Sequence, residues 1–251
     1  MRRTRGTPAD PALHIGLDAD GAVTVVTPVG VLAVPTAPHL QHAVLACLAE
    51  QADAVVVDLS LLYVKAPHLL HVFPAAVHRT APWTGTELVL VSGPPAAEQG
   101  AWLVGVSRLL RVYPTMRTAL AALDRSPPRR LARMPVGTSP AAVTEGREFI
   151  RNTCATWHCD DATDDAETIG AELVGNAVRH TAGPATLRLE LRRELLTVSV
   201  GDHSAAPAVL RPPNGDGGSG LQIVKACADH WSSTPALGGK TVWATVHTGC
   251  G

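Results

Sequence analysis

The sequence predicts two domains of different class, an α/β domain followed by an α+β two-layer sandwich. Three observations lead there. Short β-branched runs alternate with helical periodicity up to about residue 124. The alternation stops at "DRSPPRRLARMPVGTSP", which is rich in proline and arginine and has no apolar period. Beyond it two long helical patterns come first, then a hairpin, a glycine-rich loop, one more helix and a final strand. A chain of 251 residues is long enough for two ordinary domains.

In the first domain "AVTVVTP" and "VGVLAVP" read as strand, turn, strand. The helix "TAPHLQHAVLACLAEQ" follows, with Leu40, Val44, Leu45 and Leu48 on one face. "DAVVVDLS" holds a short β-branched run bounded by turn formers, the pattern of a buried strand. A helix-like segment, the strand "TELVLVS", a third helix, the short strand "LLRVY" and the helix "PTMRTALAAL" complete it. Pro114 opens that last helix, where its missing N–H costs nothing. The expected division is 1–124 for the first domain, ordered from about residue 14, then a linker at 125–138 and the second domain at 139–251. In the second domain "AAVTEGREFIRNTCATW" and "DAETIGAELVGNAVRHT" are the helices, and "ATLRLELR" and "LLTVSVGD" form the hairpin. "SGLQIVKACADHW" and "KTVWATVH" supply the last helix and strand. No internal repeat relates the halves.

Composition narrows the function. A net charge of −1 provides no basic field for nucleic acid or an anionic membrane. Aromatic residues make up 4%, too few for a base-stacking platform. No apolar run approaches the roughly 20 residues of a membrane span. The basic N-terminus lacks the apolar core of a signal peptide. The 5 cysteines are scattered without a CxxC pair, which suits a reducing cytoplasm. Among the 11 histidines, His39/His42, His68/His71 and the run His158-Cys159-Asp160 match no zinc spacing.

Four polar clusters interrupt the second domain. Glu172 and Asn176 lie four apart and point the same way from one helix. An Asn oxygen suits Mg²⁺, and a carboxylate one turn away suits proton abstraction from an attacking hydroxyl. A solvated face of an amphipathic helix would also carry such residues. Asp202 ends an apolar strand, where a carboxylate meets the edge of an amino-bearing base or simply starts a turn. "NGDGGSGLQ" satisfies G-x-G-x-x-G through Gly215, Gly217 and Gly220, but "LRPPN" and not a strand precedes it, so the dinucleotide fingerprint fails. What remains is a glycine loop leading into a helix N-terminus, a surface suited to phosphate or an ordinary flexible loop. "GGKTVWATV" superficially matches a P-loop ending, yet Thr234 stands in the first glycine position and a strand follows. Gly239 and Thr241 are instead placed to approach a base from a strand.

In that order the clusters resemble the ATP-binding fold shared by gyrase, the mismatch-repair ATPases and sensor histidine kinases. "ELVGNAVRHTAG", "GGSGLQIVKACADHW" and "GGKTVWATV" are similar to the small anti-sigma-factor serine kinases of actinobacteria, over Ser139 to about Val246. The resemblance implies a two-layer sandwich of the histidine-kinase-like ATPase type, with ATP and Mg²⁺ as cofactors. It implies that Asn176 holds Mg²⁺, that Glu172 is the catalytic base, and that Asp202 binds the adenine amino group with Thr241 assisting. Gly218 and Gly220 would lie by the phosphates. One departure concerns the adenine side, where "DHSAAP" keeps the Asp of the family's D-x-G-x-G but neither glycine.

The first domain resembles the STAS domain of anti-sigma-factor antagonists, through "VVVDLSLLYVKAPHLLHVF". Asp58-Leu59-Ser60 is intact, but Pro67 occupies the position of the phospho-acceptor serine. The two resemblances together imply a cytoplasmic regulator, a degenerate STAS-like domain fused to a serine kinase domain. Its partners would be a STAS-domain antagonist, a sigma factor, or both, with neither nucleic acid nor membrane bound directly. Related kinase domains often form homodimers. The rival expectation is a non-catalytic ATP-binding module that switches partners by surface contact.

Overall fold

The computed structural model describes residues 12–20, 22–93, 97–123, 129–181, 183–204, 206, 208 and 220–249. Both expected classes are found. The chain separates into two compact units: Met1–Val44, Asp53–Val77 and Glu87–Arg125 form the first, and Leu45–Ala52, His78–Thr86 and Ser126–Gly251 the second.

The first unit is built on a six-stranded sheet. β1 (Leu13–Asp20) pairs antiparallel with β2 (Val23–Leu32), and β3 (Ala54–Asp58), β5 (Glu87–Val91) and β6 (Arg111–Tyr113) continue the sheet in parallel. The short β4 (Leu62–Val64) pairs with the far end of β2. β1 was not expected from the sequence; its "LHIGLDAD" alternates apolar and polar residues but carries no long apolar run. The two strands read as a turn-linked pair are one, because Pro28 keeps register with Ile15 of β1 and on its other side falls between the stretches of β2 that pair with β3 and with β4. The apolar run Ala54–Val57 of β3 is explained by burial on both faces. Val56, Val89 and Val91 pack with Ala119 of α4 (Met116–Leu123), while the alternating Val55, Val57, Leu88 and Leu90 are buried as well. α1 (Ala37–Ala49) buries Leu40, Val44, Leu45 and Leu48, as its spacing predicts. α2 (Val72–Thr80) and α3 (Ala97–Val106) complete the helices up to β6.

Pro67 opens a 3-10 turn, Pro67–His71, and Ala66 before it is extended at φ −154 and ψ 145. Ser60 lies just past β3 and is exposed, not at the end of the buried strand; its N–H donates to Asp58 Oδ1 at 3.0 Å.

The second unit is a five-stranded antiparallel sheet with helices on one face. Its order is β10 (His230–Ala236), β11 (Gly239–His247), β9 (Leu195–Asp202), β8 (Ala185–Arg192) and β7 (Arg130–Val136). β7 corrects the linker expectation for 125–138. Its sequence, "RLARMPV", has only Ala132, Met134 and Val136 on the core side, too few apolar residues to stand out from a linker. As an edge strand it tolerates Pro135. α5 (Ala141–Trp157), α6 (Thr163–His180) and α7 (Gly220–Cys227) enclose a core with the inward residues of the strands. These include Leu187, Leu189, Val198, Val200, Val242 and Ala244, all alternate positions.

The other face of this sheet is polar and nevertheless buried. Thr197, Ser199, Glu190, Thr241 and Thr245 are each 2% exposed or less. The segments Leu45–Ala52 and His78–Thr86 supply partners to Glu190, Ser199 and Thr241. Gln51 donates through Nε2 to Glu190 Oε2 at 3.0 Å and accepts at Oε1 from Ser199 Oγ at 2.9 Å. Glu190 also accepts from the Gly85 N–H at 2.6 Å and from Arg129 Nη1 at 3.2 Å. Trp83 stacks on Trp243 with ring centroids 5.3 Å apart and planes 10° from parallel. Arg188 pairs with Glu50 at 2.6 Å; burial pushes its pKa down, opposed by the Glu50 carboxylate. With three donors converging on a buried carboxylate, Glu190→Ala should destabilise this unit by about 3–5 kcal/mol in a denaturant titration, and Glu190→Gln by less.

Candidate functional site

α6 presents Glu172 and Asn176 from successive turns, both half-buried at the edge of the core. The reason is local: Leu173, Val174 and Ala177 occupy the buried stripe, and the two polar residues border it. Gly220, the first residue of α7, lies against both. A Cβ built on it would stand 2.6 Å from Glu172 Oε2 and 3.8 Å from Asn176 Nδ2. Glycine therefore lets the start of α7 approach a carboxylate that any side chain would displace. The start of α7 is thus brought against two residues of α6 that lie more than forty positions earlier in the chain. Gly218, the other glycine assigned to this group, lies outside the described residues.

Asn176 is not idle. Arg179, one turn on, donates from Nη2 to Asn176 Oδ1 at 2.8 Å. This arginine was missed in the sequence reading, although the three-residue spacing signals it. The carboxamide oxygen that would ligate a metal thus holds a guanidinium, which a cation would have to displace. A carboxylate and a carboxamide oxygen on one helix face are a hard donor set that suits an ion retaining most of its waters.

Asp202 ends β9 on the same side of the sheet as Val198 and Val200, which face the helices. It stands opposite Lys240 in the β9–β11 register. Lys240 Nζ donates to Asp202 Oδ1 at 2.9 Å, with the two side chains only 10% and 6% exposed. The same oxygen accepts the Ser204 N–H at 2.8 Å, a turn closed by the side chain. Gly239 approaches the Asp202 main chain so closely that a Cβ would collide with its carbonyl. Lys240 is a second residue the sequence reading passed over. Alternation in "KTVWATV" carries the signal, since Val242, Ala244 and Val246 are core residues and Lys240 shares their side.

That alternation also corrects the Thr241 assignment. Thr241 points to the opposite face, fully buried, with its hydroxyl donating to the Ala49 carbonyl at 3.4 Å. A side chain across the sheet from Asp202 does not assist it at a base.

Residues 136–246 match the family of the histidine kinase-like ATPase domain. No curated protein matches the chain. Solved structures similar to it include an anti-sigma factor antagonist from Mycobacterium paratuberculosis, 27% identical, covering 45% of this chain and 95% of that one with a TM-score of 0.38. A putative anti-sigma factor antagonist from Thermotoga maritima is 19% identical over 44% of this chain and 95% of its own, with a TM-score of 0.37. The anti-sigma factor antagonist SpoIIAA in its unphosphorylated form is 9% identical over 46% of this chain and 100% of its own, with a TM-score of 0.35. No helix among the described residues is long and apolar enough to cross a membrane.

The two close glycines differ in what they touch. At Gly239 the obstacle is backbone, so Gly239→Ala should lower stability by more than about 2 kcal/mol in thermal or denaturant unfolding. At Gly220 the nearest atom is the end of a glutamate side chain, which can turn away. Gly220→Ala should change stability by less than about 1 kcal/mol while shifting the Glu172 carboxylate.

Proposed function

We propose that the histidine kinase-like ATPase domain at residues 136–246 binds ATP and transfers its γ-phosphoryl group to a serine of a separate STAS-domain protein. The observation that carries this reading is the convergence of Glu172, Asn176 and the Gly220 helix start. Glu172 is the general base: it takes the proton from the attacking serine hydroxyl as that oxygen bonds to phosphorus and ADP leaves. The N–H groups at the start of α7 face the phosphates. Asp202 accepts a hydrogen bond from the base amino group. Mg²⁺, when bound, supplies charge neutralisation at the phosphates, with Asn176 as its protein ligand once Arg179 has moved off.

The second reading is favoured by one specific contact. The Arg179–Asn176 hydrogen bond occupies the oxygen that the metal needs. In that reading ATP orders the domain without phosphoryl transfer, and the protein acts by sequestering a sigma factor or an antagonist. The N-terminal unit serves either reading as a docking or restraining domain. Pro67 has no hydroxyl to phosphorylate, and a covalent tether raises the effective concentration of even a weak contact.

Three outcomes test this. Asp202→Ala should weaken ATP binding ten- to a hundredfold by calorimetry, about 1.5–3 kcal/mol, in protein whose fold is verified because Lys240 loses its partner. Glu172→Gln should bind ATP as the parent does while transfer falls by about 10²–10⁴. A parent that binds ATP but labels no STAS protein would favour the sequestering module. Mass spectrometry after incubation with ATP should find no phosphate between Ala22 and Leu123, and stoichiometric modification of Ser60 would make that unit a substrate.

A further inference from the structure

β1 closes one edge of the first unit's sheet, with β2 as its single neighbour. Its eight residues keep register with β2 without a bulge, from Leu13 opposite Gly30 to Asp20 opposite Val23. One step earlier, the Val31 N–H donates to the Ala12 carbonyl at 3.1 Å. That bond fixes the phase of the ladder. His14, Gly16 and Asp18 turn their N–H and C=O toward β2, and Leu13, Ile15, Leu17 and Ala19 turn theirs outward. Among the described residues nothing meets those outward groups. Edge strands are usually blunted by lysine, proline or a bulge, and "LHIGLDAD" has none of these. Leu17 is moreover 44% exposed.

Gly16 points the same way. Its φ is not positive, and a Cβ there would make ordinary contacts with Thr27, 3.6 Å from its oxygen and 3.7 Å from its Cβ. Its own chain therefore does not call for glycine. A glycine inside a strand weakens it, and often marks the place where another backbone comes close.

We propose that β1 pairs antiparallel with β1 of a second copy of this chain, about a two-fold axis at Gly16, so that two sheets become one. The strand is complementary to its own reverse. Outward groups bond only where odd-numbered residues stand opposite odd-numbered ones, and an axis at Gly16 meets that condition. Leu13 then stands opposite Ala19 of the second copy, and Ile15 opposite Leu17, each pair exchanging both backbone bonds. These side chains share the side of β1 that neighbours the buried Val26 and Pro28, so apolar meets apolar and Leu17 is covered. On the other side His14 meets Asp18, an imidazole donor opposite a carboxylate. Gly16 meets Gly16 at the axis, in the closer kind of pair with Cα atoms about 4.5 Å apart. An axis at Leu17 also satisfies the backbone, but it sets Asp18 opposite Gly16 and away from His14. The two-fold repeats every contact, and it closes the assembly with neither β1 left as an edge.

Sedimentation equilibrium of the full chain tests the association, and disulfide trapping tests the register. The parent should associate reversibly to twice the chain mass at about 1–100 µM, since one strand pair makes a small interface. Leu17→Pro deletes an outward N–H that β2 does not use, and should weaken association about tenfold or more. His14→Asp sets two carboxylates opposite each other and should weaken it as well, while His14→Asp combined with Asp18→His should restore it. Gly16→Cys should form a covalent dimer with oxidised glutathione, because the Cα atoms at the axis lie within disulfide reach. Asp18→Cys should not, its equivalents being far from the axis. The parent under the same oxidant accounts for the native cysteines, and thermal melts verify that each variant is folded. A parent that stays monomeric at about 100 µM overturns the proposal. A dimer that Leu17→Pro leaves unchanged overturns it too, because the contact then lies elsewhere. So does a Gly16→Cys chain trapped no faster than Asp18→Cys, a result that stands even if Leu17→Pro does not fold.

Discussion

Side-chain alternation along a β-strand governs the second unit, because both faces of its sheet are buried and each residue must suit the face it receives. The three central strands β8, β9 and β11 send Leu187, Leu189, Val198, Val200, Val242 and Ala244 toward the helices. The residues between them are Arg188, Glu190, Ser199, Thr241 and Trp243, and they too are out of water. A shift of one residue in β8 would put Arg188 and Glu190 into the apolar core and its leucines among polar groups. Register is therefore fixed twice over. The positions of Asp202 and Lys240 on the helix side follow from it, as does the position of Thr241 on the other.

Burying the polar face requires partners, since an unpaired carboxylate out of water is strongly unfavourable. Gln51 meets that requirement with an unusual backbone, φ 54, that turns the chain after α1 so that its amide bridges Glu190 and Ser199. Arg129 and Arg133 in turn donate to the Gln51 carbonyl. The satisfaction is incomplete. Among the described residues, Arg188 Nε and Nη1 and the Trp83 indole nitrogen have no hydrogen-bond partner. Such a face gains specificity of docking more than it gains stability.

On the helix face the chemistry lies at the margin of the core. Glu172 and Asn176 flank a stripe of buried small and aliphatic residues, so the helix that anchors the core also carries the polar pair. Its ends complement the helix dipole, with Asp164 and Asp165 in the first turn and Arg179 and His180 in the last. Arg179 has a second role there, holding the Asn176 oxygen.

The sequence by itself determined the two fold classes, the helices and most strands, and the placing of Glu172 and Asn176 on one face of α6. Those signals are local: helical spacing of three or four, apolar runs bounded by turn formers, and glycine where a backbone must come close. Only the tertiary structure decided that β7 is a strand and not a linker, because an edge strand with three inward apolar residues acquires its identity from the strand beside it. It alone revealed the partners of Asp202 and Asn176. The first pairing depends on cross-strand register, which no single segment encodes. Thr241 marks the boundary between the two kinds of information. The motif placed it beside Asp202 in the chain, but the pleat turned the hydroxyl to the far face. A strand's two faces are distinguished by what packs on them, and that is settled by residues distant in the chain.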